Sequence, residues 1–146
     1  RFGYEAGSKA KKIKERDKSK TIVFKKGDWE YHDNYFGGEP YGGREVVFFK
    51  KQPVYMMVYY GSVNKSVKDF KKVYKFLQEA LSAKKKNSLM RRGPKKYKQG
   101  DYAYINNFKG TITNFSGEEI ITIKGKEIYR AKYAGGLVDQ RKEKNA

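Results

Sequence analysis

Cysteine is absent from this chain of 146 residues. Its absence excludes disulfide frameworks, thiol catalysis and zinc sites built on thiolates. Histidine occurs once, as His32, so histidine-based metal sites and catalytic triads have almost nothing to build on. No apolar run approaches the roughly 18 residues of a membrane-spanning helix, and no secretory signal pattern is visible. These absences favour a cytoplasmic location away from membranes, with no cofactor and no metal.

Acidic residues are also scarce: 34 Lys and Arg stand against 16 Asp and Glu, which gives a formal net charge of +18. Residues 84–98 contain eight basic residues and no acid, whereas residues 28–45 form an acidic island. A basic segment of this kind favours contact with nucleic acid or another polyanion. Lys outnumbers Arg 27 to 7, so a merely solvated surface stays open as the alternative. The predicted nucleic-acid-binding residues are Lys84, Lys85, Lys86, Arg91, Arg92, Lys95 and Lys96.

Two segments of the chain match each other in order. The segment from Gly27-Asp28 aligns with the one from Gly100-Asp101, at an offset of 73 residues that becomes 74 after one insertion. The matching pairs include Trp29 with Tyr102, Tyr31 with Tyr104, Asp33 with Asn106, Glu45 with Glu119, Tyr55 with Tyr129, and Tyr59 with Tyr133. A period of this length exceeds the ~20–50 residues of solenoid repeats. The matches therefore indicate a duplication inside one pseudo-symmetric domain.

Each copy shows the pattern of three strands. Residues 29–36 and 102–108 alternate between aromatic and polar side chains, and β-branched and aromatic residues dominate the two runs that follow in each copy. Gly37-Gly38 and Gly42-Gly43 predict a looped turn in the first copy, and residues 22–24 add a short edge strand. We predict an α+β fold, with a mainly antiparallel sheet of two pseudo-repeated three-stranded units and one covering helix. The expected single domain, 1–146, contains repeat one at about 21–63, the helix at about 66–83, a basic linker at 84–98 and repeat two at about 97–138.

The helix lies between the two copies. Ser66 is the expected N-cap, and Asp69 three residues later resembles the acid of a capping box. Apolar side chains recur at helical spacing and predict one face packed on the sheet: Val67, Phe70, Tyr74, Leu77 and Leu81.

Several motifs resemble one known family. Residues 33–39 read DNYFGGE, residues 43–47 read GREVV, and residues 53–61 read PVYMMVYYG. The later motifs Arg92-Gly93-Pro94 and Gly100-Asp101-Tyr102 extend the likeness, which runs from about Tyr4 to Val138. Together they resemble a bacterial and archaeal family of domains of unknown function. The resemblance implies a domain that stands alone or is fused to a helix-turn-helix regulator of the phage-repressor type, and hence a sensing or interaction module.

The alternating aromatic residues predict a face that binds a ligand or packs as core. Asp33 and its counterpart Asn106 each interrupt an aromatic row, where an unbonded polar group is costly. They either orient a flat ligand in a pocket or bond tyrosine hydroxyls and backbone in the core. The predicted ligand-binding residues are Trp29, Tyr31, Asp33, Tyr35, Tyr55, Tyr59, Tyr104 and Asn106.

Three functions remain open from the sequence. The main prediction is a non-enzymatic module that binds nucleic acid or another polyanion through its Lys/Arg-rich segments. The first alternative is a ligand-sensing or protein-interaction domain, with a small ligand or a regulatory protein as its partner on the aromatic face. The second is a hydrolase, because Glu30 and His32 alternate on one strand face and such a pair can do acid–base work. The second copy has Ala103 and Ile105 at those positions, which weighs against catalysis.

Overall fold

The computed structural model describes residues 10–83 and 92–141. These residues form nine strands and one helix. In chain order they are β1 (Lys11–Lys14), β2 (Lys20–Lys26), β3 (Trp29–Gly37), β4 (Tyr41–Phe49), β5 (Gln52–Val63), α1 (Phe70–Ser82), β6 (Lys96–Gln99), β7 (Tyr102–Thr111), β8 (Asn114–Ile123) and β9 (Lys126–Leu137).

All nine strands belong to one antiparallel sheet, in the order β1-β2-β3-β4-β5-β9-β8-β7-β6. Strands β2 to β5 make one meander, which we call the first unit, and β6 to β9 make another, the second unit. The two units join where β5 pairs with β9, and Tyr59 faces Tyr133 in that pairing. Since these two tyrosines are counterparts in the repeat, the pseudo-twofold axis passes through this pair.

The predicted α+β class is wrong, because the described part of the chain is mainly β, with nine strands against a helix of 13 residues. Each unit has four strands rather than three, and β1 adds a ninth strand at one edge. The short strand expected at residues 22–24 is present and extends over Lys20–Lys26, while the two strands that the sequence did not predict, β1 and β6, read KKIK and KYKQ. Their lysines resemble a charged linker in sequence, but lysine is a common residue on edge strands because it discourages pairing with another chain.

Two local predictions also need correction. The N-cap of α1 is Asp69, whose side chain accepts a hydrogen bond from the backbone N–H of Lys72 at 3.3 Å, so Ser66 is not the cap. Gly42 and Gly43 do not form a turn, since both lie inside β4 and pair with Tyr60 and Tyr59 of β5.

The core lies on one face of the sheet. Buried residues alternate along β3, β5, β7 and β9, as expected for strands with one covered side. On β3 and β5 the predicted aromatic residues Tyr31, Tyr35, Tyr55 and Tyr59 all point to this face. The prediction that they share a face is therefore confirmed.

Candidate binding site on the aromatic sheet face

Two equivalent rows of side chains cross this face, one in each unit. Each row spans five strands through cross-strand neighbours, which are the contacts that stabilise a sheet. The first row is Phe24, Tyr31, Val47, Tyr55 and Leu137. The second row is Tyr97, Tyr104, Ile121, Tyr129 and Val63. The rows match residue for residue under the repeat, and a β-bulge follows Val47 in one and Ile121 in the other.

Helix α1 covers the second row. The Phe76 ring lies 5.7 Å from that of Tyr97 and 5.1 Å from that of Tyr102, and Tyr74 meets Tyr129 edge-on at 6.1 Å. The buried face of the helix consists of Val73, Phe76, Leu77, Ala80 and Leu81. This is an ordinary amphipathic helix packed on a sheet.

The first row forms the floor of a cleft of about 350 Å³. Tyr31 and Tyr55 lie deep in it, while Trp29 stands at its mouth with 52% of its surface exposed and its ring 4.7 Å from that of Phe49. The other lining residues are Phe24, Lys26, Glu30, Val47, Val54, Ile112 and Leu137. Of the predicted ligand-binding residues, three therefore meet at this cleft: Trp29, Tyr31 and Tyr55.

Asp33 and Asn106 are buried and hold tyrosine hydroxyls. Tyr59 donates to Asp33 Oδ1 at 2.5 Å, and Tyr133 donates to Asn106 Oδ1 at 2.5 Å. Asn106 also donates to the carbonyl of Gly93 at 3.0 Å. The sequence left two roles open for Asp33 and Asn106, orienting a ligand or bonding tyrosine hydroxyls and backbone in the core. The bonds observed here correspond to the second role.

A second repeated pair of contacts was not singled out from the sequence. Tyr31 donates to Glu45 Oε1 at 2.6 Å, and its counterpart Tyr104 donates to Glu119 Oε2. Both carboxylates are fully buried. The sequence did contain a signal for this pair, since a glutamate recurs at matched positions of the two copies. Such a recurrence indicates that both glutamates have the same structural role.

Two glycines make room for these tyrosines. A Cβ on Gly43 would lie 2.7 Å from the Tyr59 hydroxyl and closer still to the carbonyl oxygen of Asn34. A Cβ on Gly117 would collide in the same way with the Tyr133 hydroxyl. Gly43 pairs with Tyr59 and Gly117 pairs with Tyr133 across neighbouring strands. Because glycine has no side chain, the tyrosine ring can lie directly over the glycine backbone.

Arg92 breaks the symmetry of the two units. Its side chain is 1% exposed, and its Nε donates to Glu119 Oε1 at 2.6 Å. Its Nη2 donates to the Tyr41 hydroxyl at 3.1 Å, and its guanidinium carbon lies 4.7 Å from the centre of the Tyr59 ring. The equivalent position in the first unit is Ser19, also buried. Arg92 is thus an internal residue, although the sequence assigned it to phosphate binding.

The charges around Arg92, Glu119 and Tyr104 determine which of these groups are protonated. Burial, the largest single influence, would lower the pKa of Arg92, but Glu119 acting together with Tyr41, Tyr129 and Glu45 outweighs it, and the pKa lies well above its usual range. Burial, and then the charge of Glu119, raise the pKa of Tyr104 far above its ordinary value. Arg92 therefore stays charged and Tyr104 stays protonated, as the hydrogen bonds require.

A second cleft, of about 270 Å³, opens beside Arg92 between α1 and the first unit. It contains two more of the predicted ligand-binding residues, Tyr35 and Tyr59. Its other lining residues are Ile22, Gly37, Gly38, Tyr41, Tyr74, Leu77, Gln78, Leu81 and Arg92. The predicted ligand set is thus divided among two clefts and the core, and Tyr104 lies beneath α1.

The predicted nucleic-acid set is only partly described. Lys84, Lys85, Lys86 and Arg91 lie outside the described residues. Lys95 and Lys96 are exposed at the β6 edge of the sheet.

Glu30 and His32 do come together, with His32 Nε2 2.5 Å from Glu30 Oε2. Lys25 Nζ lies 3.2 Å from the other oxygen of Glu30, and the His32 ring packs on Phe48 at 4.8 Å. Within residues 10–83 and 92–141, no group of three or more His, Asp or Glu side chains is arranged to hold a metal ion.

These features define a class: an antiparallel β module built from two repeated units, with one helix on one unit and an aromatic cleft on the other. The chain belongs to the family described as "Domain of unknown function (DUF5680)", which it matches over residues 33–138. The predicted membership of a family of unknown function is thereby confirmed. Neither the curated proteins nor the solved structures contain a match to the chain. No helix in the described part of the chain has the length and apolar character that crossing a membrane requires.

Proposed function

We propose that this protein is a non-enzymatic binding module whose first row receives the apolar face of a helix from a partner protein. One observation carries the proposal: α1 covers the second row, and the equivalent first row forms the floor of a cleft. Two surfaces built from counterpart residues in the same register favour ligands of the same kind. An amphipathic helix docked in a groove is a common mode of peptide recognition.

The packing of α1 indicates which residues the partner helix needs. Its buried positions are 73, 76, 77, 80 and 81, a spacing of i, i+3, i+4, i+7 and i+8. Phe76 contacts Tyr97 and Tyr102, whose counterparts are Phe24 and Trp29. We therefore expect an aromatic residue at the second of these positions, between Phe24 and Trp29.

Charge selects among such helices. Lys26 and Glu30 line the cleft, and Glu30 is already paired with Lys25 and His32. The neighbouring β4–β5 turn adds Lys50 and Lys51. The Lys50 Nζ lies 5.4 Å from the Phe49 ring, which packs on Trp29. Acidic side chains on the polar face of the partner would be attracted to these lysines, whereas the basic polar face of α1 would not.

The experiment uses a synthetic peptide of residues 66–83 in which Lys68, Lys71, Lys72 and Lys75 are replaced by Glu. Trp29 is the single tryptophan of the chain, so its emission reports on this cleft. We expect a saturable blue shift with the acidic peptide and weaker binding of the unmodified basic peptide.

Two matched variants locate the binding. Leu137→Glu places a charge in the cleft and should abolish the shift, while Val58→Glu, at an exposed position of β5 outside the cleft, should leave it unchanged. No shift with either peptide, or equal binding by Leu137→Glu, would overturn the proposal.

This function suits the setting that the family resemblance implies. A module beside a helix-turn-helix regulator needs a surface for a protein segment rather than a catalytic centre. A cytoplasmic location is part of the same proposal.

Nucleic-acid or polyanion binding is the second candidate function. Lys95, Lys96 and Lys98 are exposed at the β6 edge, next in sequence to the lysines at 84–86. Edge protection explains such lysines equally well, so the test must separate local binding from general charge.

The measurement is fluorescence anisotropy of labelled duplex DNA and single-stranded RNA, at low salt and at about 0.15 M. We expect replacement of Lys84, Lys85, Lys86, Lys95 and Lys96 by Gln to reduce the salt dependence of log K by roughly 0.7–0.9 for each phosphate that the protein no longer neutralises. The control replaces Lys11, Lys12, Lys14, Lys18 and Lys20, at the opposite edge. If both sets of replacements changed the salt dependence equally, the binding would be a nonspecific effect of the net positive charge.

A further inference from the structure

We infer that the cleft beside Arg92 is a second binding site, which takes a small, neutral, flat apolar molecule bearing one hydrogen-bond acceptor, such as an aryl carbonyl. The site is separate from the first row and independent of the function proposed there. It lies between α1 and the first unit of the sheet.

The first argument is an unused donor. Arg92 donates hydrogen bonds from Nε to Glu119 and from Nη2 to the Tyr41 hydroxyl. Its Nη1 is buried and has no acceptor among residues 10–83 and 92–141. A buried N–H group without an acceptor destabilises the folded protein, because it has given up its hydrogen bonds to water. Arg92 itself lines the cleft, so a small rotation of its guanidinium would bring Nη1 to an acceptor placed there and relieve this cost.

The second argument is the backbone of Arg92. Its φ is +69°, in the left-handed region that non-glycine residues rarely adopt. Such conformations cluster at binding sites, where they orient a functional side chain. The counterpart position in the first unit carries Ser19, so the repeat does not require a buried guanidinium here.

Three tyrosine hydroxyls around the cleft are already hydrogen-bonded. The hydroxyl of Tyr59 donates to Asp33, that of Tyr74 donates to Glu39, and that of Tyr41 is bonded to Tyr129. Nη1 of Arg92 is the buried donor that remains for the ligand, whereas the other polar lining side chains, Tyr35 and Gln78, are half-buried and exposed. The rest of the wall offers aromatic rings together with Ile22, Leu77 and Leu81, which suit a flat apolar body.

The charges favour a neutral ligand over an anion. The guanidinium is already paired with Glu119 at 2.6 Å, and Glu45 adds a further negative charge nearby. A second anion would meet these carboxylates in a desolvated setting, where like charges repel strongly. A carbonyl oxygen accepts from Nη1 without that penalty.

The test compares two aryl probes of similar size, acetophenone and ethylbenzene, of which only acetophenone carries an acceptor. Binding is followed by NMR through the methyl resonances of Ile22, Leu77 and Leu81 and the Nε–H of Arg92. We expect millimolar binding of acetophenone, about fivefold or more tighter than that of ethylbenzene, which is the effect of one satisfied hydrogen bond. Benzoate should bind more weakly than acetophenone.

A variant that leaves the ion pair intact tests the location. A Cβ on Gly38 meets nothing within 4 Å, so Gly38→Phe should fold and place a ring at the cleft. It should abolish acetophenone binding. Lys72→Phe, on the exposed side of α1, is the matched control and should retain it.

Three results would overturn the inference. One is equal affinity for acetophenone and ethylbenzene, since the acceptor would then be irrelevant. Another is unchanged binding by Gly38→Phe. The third is a water bound at Nη1 that acetophenone does not displace, which would make the cleft a hydrated cavity only.

Discussion

At the scale of single residues, the repeat is a set of matched contacts. Tyr59 with Asp33 and Tyr133 with Asn106 are one such set, and Gly43 and Gly117 make room for them. The duplicated sequence therefore preserves tyrosine hydroxyls bonded to buried polar groups in each unit.

Gly43→Ala tests this close approach. The added methyl would lie 2.7 Å from the Tyr59 hydroxyl and would also collide with the Asn34 carbonyl oxygen, so the strands must shift. We expect a loss of about 1–3 kcal/mol in the free energy of unfolding, measured by urea denaturation. Gly38→Ala meets no atom within 4 Å and should change stability by less than about 0.5 kcal/mol. Equal stabilities of the two variants would contradict the argument.

Tyr104 gives a prediction for alkaline pH. Its pKa is raised above the ordinary 10.0 by burial and by Glu119, so the folded state keeps a proton that the unfolded state releases. Its contribution is fully present below about pH 10 and is lost as the pH rises further, with a slope of about 1.4 kcal/mol per pH unit.

Urea denaturation between pH 8 and 11 measures this slope. Tyr104→Phe should lower stability at every pH, because the bond to Glu119 is lost, and should also flatten the alkaline decline. Tyr60→Phe, at a position 62% exposed, should leave the decline as it is in the unaltered protein. An unchanged slope in Tyr104→Phe would contradict the assignment.

At the scale of elements, periodicity predicted the helix and the central strands, but it missed β1 and β6 and misjudged where the helix begins. The helix begins at Phe70 rather than near residue 66 because the Asp69 carboxylate caps it. Ser66 and Asp69 are both good capping residues, and the sequence offers no local reason to choose between them.

The cap can be tested with two alanine variants. Asp69→Ala should cost about 1 kcal/mol, a typical value for loss of an N-cap. Ser66→Ala should have almost no effect. Thermal unfolding followed by circular dichroism measures both, and a larger loss in Ser66→Ala would contradict the cap assignment.

Lysine-rich strands were the elements that sequence reasoning missed. KYKQ in β6 resembles a linker, since strands are recognised by apolar alternation. Its strand state comes from pairing with β7, where Tyr97 faces Tyr104. Such an edge strand depends on the neighbouring backbone more than on its own side chains.

At the scale of the whole molecule, the two units are joined through β5 and β9, with Tyr59 and Tyr133 at the pseudo-twofold axis. The central strands have hydrogen-bonded neighbours on both sides, whereas β1 and β6 lie at the edges. Stability should therefore be greatest at the centre of the sheet.

Native-state hydrogen exchange tests this gradient. Amides of β5 and β9 should exchange most slowly, near the rate set by global unfolding, and those of β1 and β6 should exchange through local opening. If β1 exchanged as slowly as β5, the edges would belong to the same cooperative unit as the centre.

The sequence by itself determined the duplication, the strand periodicity and the helix between the copies, because these depend on the order of residues along one segment. It also indicated the aromatic face and the family. Only the tertiary structure decided which row α1 covers, that the mainly β sheet has nine strands, and that Arg92 is internal. An arginine in a basic segment is expected at the surface when only its sequence neighbours are considered. Its burial depends on a carboxylate 27 residues away, and only folding brings the two together.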